Sequence, residues 1–288
     1  MSVAILETKD LNHAYSKGTA HEIAAIENIN LSIEEGELVG IIGHTGSGKS
    51  TLIQHFNGIL KPSSGTVLLD GEDIWKDKTK IRNVRFKVGL CFQYPEYQLF
   101  AETVYKDIAF GPKNMGLSAE EIDKKVRQVI SFVGLSEDYL EKSPFDLSGG
   151  EKRRVAIAGV MAMEPRVLIL DEPCAGLDPK GRNTILQLVT DYQKKTGSTV
   201  VVISHSMEDI SKIASKILVM NKSRLAYYDS VDNVFSNAAE LKEMGLNIPS
   251  ITQLFLNLRN RGYDVKTNIY TLEEAKKELL RLFSKEEK

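Results

Sequence analysis

The chain has 288 residues, 42% of them apolar, which is ample for a large buried core in one α/β unit with an appendage. Its 37 Lys and Arg face 39 Asp and Glu, and a net charge of -2 argues against broad nucleic-acid binding. Two cysteines, Cys91 and Cys174, lie in apolar or motif segments and point to a reduced, cytosolic protein. Residues 1–7 lack the basic and apolar regions of a signal peptide, and no apolar run approaches the ~20 residues of a membrane helix. A role at a membrane would therefore need partners.

Tyr15 lies in a polar stretch ahead of the first strong strand and is a candidate to stack on an adenine ring. Residues 26–33 alternate apolar and polar, which predicts a strand with one exposed face. Residues 38–42 are continuously apolar and predict a strand buried on both faces. Gly43-His44-Thr45-Gly46-Ser47-Gly48-Lys49-Ser50 follows, and then Thr51. Residues 49–56 read as a helix that Asn57-Gly58 stops and residues 61–65 turn back. Further strands are expected at 66–70 and 87–92, with Gln93 after the second.

From 95 to 164 the pattern is helical. Ser118-Ala119-Glu120-Glu121 is a capping box, and Ile122, Val126, Val129, Ile130 and Val133 recur at helical spacing behind it. Leu147-Ser148-Gly149-Gly150-Glu151 opens another helix, with Lys152, Arg153 and Arg154 in its first turns. The sheet resumes at 167–170, 199–203 and 217–220, and strands alternating with helices imply a mostly parallel sheet. From about residue 236 the chain is helical and polar, with apolar positions at Ile251, Leu254, Phe255 and Leu258. A second capping box, Thr271 to Glu274, precedes Leu279, Leu280 and Leu282. This tail is read as a packing appendage or a dimerisation element. Residues 284–288 are expected to fray.

The chemistry follows from the spacing. Residues 43–50 form a phosphate-binding loop: backbone N–H groups converge on phosphate oxygens, and glycines let the backbone approach. Lys49 supplies charge near the β and γ phosphates, Ser50 can place a hydroxyl on Mg²⁺, and the helix behind adds its positive dipole end. For His44 the backbone is expected to matter more than the ring. Asp171 and Glu172 end a buried strand, so Asp171 can hold the metal through water while Glu172 orients or deprotonates the attacking water. His205, at the carboxyl end of a parallel strand, can donate to the γ phosphate. Gln93 can contact Mg²⁺ or that water. Ser148, Gly149 and Gly150 make a second anion cup, too far along the chain from the first to share its phosphate. Three cations behind the cup are easier to explain if an anion docks there.

Taken in order, these motifs resemble an ATP-binding cassette (ABC) ATPase over about residues 3–235. The resemblance implies an α/β P-loop NTPase with a mostly parallel core sheet, an antiparallel β subdomain, a helical insert at about 95–164 and a C-terminal helical extension at 236–288. By motif, Tyr15 is similar to the A-loop aromatic, residues 43–51 to Walker A, and Gln93 to the Q-loop glutamine. Residues 147–151 are similar to the signature, 167–172 to Walker B, Asp178 to the D-loop aspartate, and His205 to the switch histidine. The family works as dimers that sandwich ATP between one subunit's phosphate loop and the other's signature.

A narrower resemblance lies in Phe92-Gln93-Tyr94-Pro95-Glu96-Tyr97-Gln98-Leu99-Phe100, Ala109-Phe110-Gly111-Pro112-Lys113-Asn114 and Arg153-Arg154-Val155-Ala156-Ile157-Ala158-Gly159. These segments, with residues 175–182, resemble the energy-coupling factor transporter ATPases, in the form of the second of two paired subunits. That family implies ATP and Mg²⁺ as cofactors and uptake of vitamins or transition-metal ions. It also implies a second ATPase, identical or paralogous, a transmembrane coupling subunit and a substrate-binding membrane subunit. The location would be the cytoplasmic side of the cell membrane, with no nucleic-acid partner. Tyr97, Leu99 and Phe100 are candidates for contact with the coupling subunit, with core packing as the rival reading. The extension would serve ATPase pairing. Two positions depart from the pattern: Cys174, often Thr or Ser, is a candidate oxidisable thiol, and Glu151 stands where the wider superfamily has Gln. Other ABC transport ATPases, soluble ABC ATPases of DNA repair or translation, and a small-molecule kinase are the competing classes. Tandem cassettes, a long coiled coil or a basic arm would mark the soluble ATPases, and a kinase leaves Ser148 to Gly150 without a purpose.

Overall fold

The computed structural model describes residues 4–286. Met1 to Val3 of the N-terminal segment, and Glu287 and Lys288 of the end expected to fray, lie outside the described residues. The chain opens with two long strands, β1 (Ala4–Tyr15) and β2 (Ile23–Glu34), then β3 (Leu38–Gly43) and α1 (Lys49–Phe56). Next come β4 (Ser64–Leu69), β5 (Glu72–Asp73), α2 (Ile81–Lys87) and β6 (Val88–Cys91). The helical insert contributes α3 (Val104–Asn114), α4 (Ala119–Phe132) and α5 (Gly149–Met161). The core resumes with β7 (Val167–Asp171), α6 (Pro179–Thr196), β8 (Thr199–Ile203), α7 (Met207–Ile213), β9 (Lys216–Asn221) and β10 (Arg224–Ser230). The chain continues through α8 (Val231–Ser236), α9 (Ala238–Glu243), α10 (Ser250–Asn260) and α11 (Leu272–Glu286).

Two sheets carry the strands. One is antiparallel, in the order β2-β1-β4-β5. The other runs β10-β9-β3-β8-β7-β6, parallel throughout except for β10, which pairs antiparallel at the edge. Side chains alternate faces along a strand, and the two large cores divide on that rule. Leu38, Ile42, Leu168, Leu170, Val200, Val202, Ile217 and Val219 join the helices of the insert, α6 and α7. Val39, Ile41, Val167, Ile169, Val201, Ile203, Leu218 and Met220 join α1 and the antiparallel sheet. Apolar residues on both faces are why these strands read as unbroken hydrophobic runs.

Several expectations need correcting. The helix α2 and the edge strand β10 had no clear sequence signal. Leu99 is buried in the insert's core, so of the three proposed contact residues only Tyr97 and Phe100 are exposed. Phe255 is buried in a small separate core with Val265, Ile269, Ala275 and Leu282, against which Ile251 and Leu258 pack. Of the seven apolar tail positions named from the sequence, Leu254 and Leu280 are left exposed. Residues 284–286 continue α11 rather than fraying, and the Ser284 hydroxyl donates to the Leu280 carbonyl. The apolar residues of α8 and α9 (Val231, Val234, Phe235 and Leu241) belong to the main core, and the small core begins beyond Pro249.

Candidate active site

The parallel register lines up the carboxyl ends of four strands. Ile41 of β3 and Asp171 of β7 both pair with Ile203 of β8, and Cys91 of β6 pairs with Leu170. Gly43, Glu172, His205 and Gln93 follow these ends, so the sheet delivers them to one edge, where ligands bind in open α/β sheets.

The phosphate loop depends on two glycines. Gly43 has φ 151° and Gly48 φ 101°. A Cβ on Gly43 would meet the Met220 carbonyl oxygen at 2.4 Å, and one on Gly48 the Ala25 oxygen at 2.5 Å. Side chains are excluded at both, and the backbone amides are left to form the cradle. The Lys49 ammonium folds back and donates to the carbonyls of Gly43 and His44, both at 2.7 Å. Burial pushes its pKa down, against the pull of Glu172 and Asp171. The Ser47 hydroxyl is buried with no partner in the protein. A lysine held on loop carbonyls beside an orphaned hydroxyl fits a site that takes phosphate oxygens.

Ser50 donates to Asp171 Oδ2 at 3.3 Å. Burial raises the Asp171 pKa, opposed by Ser50 and Lys49. Glu172 is only 9% exposed and has φ 52°, a left-handed conformation unusual for this residue. Its N–H donates to the Ile203 carbonyl at 3.0 Å. Burial raises the Glu172 carboxyl to about 7, with the His205 N–H opposing and Asp171 reinforcing. His205 Nε2 stands 3.3 Å from Glu172 Oε1, without the alignment of a hydrogen bond. Burial, then Lys49, lowers the His205 pKa, so the imidazole is neutral at pH 7. A carboxyl whose affinity for protons is matched to neutral pH is suited to general-base work.

The remaining predicted residues sit as follows. Tyr15 is exposed, with its hydroxyl 3.1 Å from Thr51 Oγ1. Gln93 is exposed beyond β6. Asp178 caps α6, accepting from the Gly181 N–H at 2.7 Å. Ser148 caps α5 in a full capping box with Glu151. Glu151 also accepts from the Tyr139 hydroxyl at 2.8 Å, and the bonds from Ser148, then Tyr139, lower its pKa to about 2. A Cβ on Gly149 or Gly150 would meet nothing within 4 Å, so this end of α5 faces open space.

Three expectations change here. Arg153 does not face an anion docked at the signature: it turns inward onto Glu96 and the turn after Glu172, while Arg154 donates to the Val133 and Gly134 carbonyls. Cys174 is buried and its thiol is pushed up to about 12 by burial, so it is not a reactive thiol. The His44 ring has a partner of its own, the Met244 carbonyl at the end of α9. The Arg153 contact was missed because three adjacent cations look alike by charge. Helical spacing was the available signal, since Arg153, Ile157 and Met161 recur every fourth residue and all are buried.

Residues 26–175 match the family model described as ABC transporter. The chain is 53% identical to the energy-coupling factor transporter ATP-binding protein EcfA2 of Clostridium tetani, over 97% of each chain. It is 52% identical to that of Clostridium perfringens, over 96% of this chain and 98% of the relative. Among solved structures it resembles cbiO1 of Clostridium perfringens, part of the ABC transporter complex cbiONQ. That match has a TM-score of 0.75 and 41% identity, over 88% of this chain and 98% of the other. A dimeric ATP-binding cassette in a post-hydrolysis state, bound to ADP and Pi, matches with a TM-score of 0.71 and 29% identity, over 78% of this chain and 98% of the other. The chain belongs to the ABC transporter family, among its energy-coupling factor transporter ATP-binding proteins.

Proposed function

We propose that this chain hydrolyses ATP at a site shared with a second ATPase and so drives an energy-coupling factor importer. The observation that carries the reading is the grouping of Lys49, Ser50, Asp171, Glu172 and His205 at one sheet edge, with the Glu172 carboxyl raised to about 7. Lys49 exchanges its two loop carbonyls for β and γ phosphate oxygens, and the loop amides and Ser47 take the rest. Glu172 accepts the proton of the attacking water as its oxygen bonds to the γ phosphorus and the bond to the β-phosphate oxygen breaks, leaving ADP and phosphate. Neutral His205 donates its single ring N–H to the γ phosphate, while its backbone N–H stays with the Glu172 carboxylate. Ser50 and Asp171 offer oxygens, with Gln93 following β6 at the same sheet edge, and these suit Mg²⁺. When bound, Mg²⁺ neutralises charge on the phosphates. Among the described residues no group of three or more His, Cys, Asp or Glu could hold a metal, which fits an ion that draws most of its ligands from nucleotide and water.

Tyr15 would stack on adenine beside Thr51, and Ser148, Gly149 and Gly150 would meet the γ phosphate held by the partner ATPase, with Asp178 at the same interface. Residues 1–235 form the nucleotide-binding unit and 236–288 the pairing extension in this reading. Among the described residues no helix is long and apolar enough to cross a membrane, so attachment to the cytoplasmic face falls to a transmembrane coupling subunit and a substrate-binding subunit. Tyr97, 84% exposed, and the edge-on pair Phe100 and Phe110 form an apolar surface on the insert for that contact. The cargo class is vitamins or transition-metal ions. The test is purification of the tagged chain from detergent-solubilised membranes of its own cells, followed by mass spectrometry. Recovery of a second cassette ATPase with polytopic membrane proteins supports the reading, and recovery of soluble or nucleic-acid-bound partners alone refutes it.

A further inference from the structure

Arg153 lies on the second turn of the signature helix, 3% exposed, and uses its whole guanidinium fork. Nε and Nη2 donate to the two Glu96 carboxylate oxygens at 2.9 and 2.5 Å. Nη1 donates to the carbonyls of Pro173 and Ala175 at 3.2 and 2.5 Å. Glu96 sits in the short helical turn Pro95–Gln98, three residues past Gln93. Burial would raise the Glu96 pKa, but the Arg153 bonds outweigh it and lower it, so the pair is ionised. One side chain thus joins the signature helix, the segment behind Gln93 and the turn that follows Glu172.

That turn is strained. A non-glycine residue at positive φ crowds its Cβ against the backbone and persists only where its surroundings over-determine it. Here the Glu172 N–H is held by the Ile203 carbonyl, and the Ala175 N–H closes back on the Glu172 carbonyl at 3.1 Å. Arg153 closes the same turn from the insert's side. A buried guanidinium without its carboxylate is strongly unfavourable, so Glu96 and Arg153 hold the turn jointly or not at all.

We propose that Arg153 is a positioning residue: it holds the turn at residues 173–175, and so the Glu172 carboxylate, only while Glu96 and the signature helix are docked together. This rests on the reading of Glu172 as the base. Movement of the insert that carries the Glu96–Arg153 pair away from this turn withdraws the donors from both carbonyls, and Glu172 relaxes out of its reactive placement. Hydrolysis then depends on where the insert stands, with no change in how the phosphate loop holds ATP.

The test uses the full chain purified with its partner subunits and compares wild type with Arg153→Lys, Glu172→Gln and the swap Glu96→Arg/Arg153→Glu. Lysine keeps the charge and loses the fork. The swap restores an ion pair but leaves the two carbonyls without donors. Expected for Arg153→Lys is a fall in kcat of about 10- to 100-fold, with unchanged affinity for a non-hydrolysable ATP analogue. The swap should stay slow. Wild-type kcat in Arg153→Lys, recovery of kcat in the swap, or a parallel loss of analogue affinity and melting temperature overturns the inference. Turnover persisting in Glu172→Gln overturns the base reading and this inference with it. A slow Glu172→Gln beside a fast Arg153→Lys overturns this inference alone.

Discussion

Glu172→Gln tests the base and its burial together. Burial holds the Glu172 carboxyl at about 7 rather than its ordinary 4.5. The folded protein therefore binds that proton more tightly than the unfolded chain. This stabilisation is fully present below about pH 4.5 and is lost as pH rises through about 7. At about 1.4 kcal/mol per tenfold in proton affinity, the ionised carboxylate costs the fold up to about 3 kcal/mol at pH 8. Relaxation and water penetration around the ionised carboxylate reduce this to about 1–2 kcal/mol. Glutamine has the same shape and no charge, so it removes the cost. The variant should melt about 2–6 °C above wild type at pH 8 and with it at pH 4.5. It should bind ATP and fail to hydrolyse it. Thermal melts at both pH values, with phosphate release at saturating ATP, read both effects. An equal gain in melting temperature at the two pH values would refute the burial argument. Phosphate release near the wild-type rate would refute the role of Glu172.

Three further outcomes follow from the same geometry. Gly48→Ala should abolish ATP binding measured by equilibrium titration, because its Cβ would lie 2.5 Å from the Ala25 oxygen at a φ of 101°; retained affinity would mean that the loop adapts. Cys174 should resist a thiol reagent at pH 8 in the folded protein and react on unfolding, since burial pushes its thiol up to about 12; rapid labelling of the native protein would contradict that placement. Glu151→Ala should lose about 1 kcal/mol of stability through the broken capping box, while Glu151→Gln keeps the box and most of that stability. Denaturant titrations separate the two, and equal stability of both variants would remove the box as the reason for a glutamate there.

The sheet and the motif order were legible because they rest on short-range rules. A strand buried on both faces must be apolar throughout, as at residues 38–42 and 199–203, and a phosphate loop needs glycine where a Cβ would strike backbone. Capping boxes at Ser118 and Thr271 announce their helices within four residues. What failed was long-range. Whether Leu99 points inward or outward depends on α3 and α4 closing over it, and Phe255 is buried by residues that lie up to 27 positions further on. Edge strand β10 alternates weakly because most of it is half-exposed. The partner of Arg153 lies 57 residues away, so the sequence shows its charge but not its direction.

The cation assignments also bear on why a second ATPase is needed. The sequence places three cations behind the signature, which is easier to explain if an anion docks there. The structure engages two of them elsewhere, Arg153 with Glu96 and Arg154 with the Val133 and Gly134 carbonyls. Glu151 takes the Ser148 N–H and hydroxyl at 2.8 and 2.6 Å. The first-turn amides, the helix dipole and the Lys152 charge remain for a phosphate, contributions of about 0.3–2 kcal/mol from the dipole and up to about 1 kcal/mol from the partly exposed cation. Affinity of that size corresponds to dissociation constants far above 1 mM. A signature this weak cannot recruit ATP. It can only add to a nucleotide already anchored by another chain's phosphate loop, where the entropy of capture has been met. On the proposed reading, closure of the pair therefore reports that ATP is bound, because neither signature closes on an empty loop.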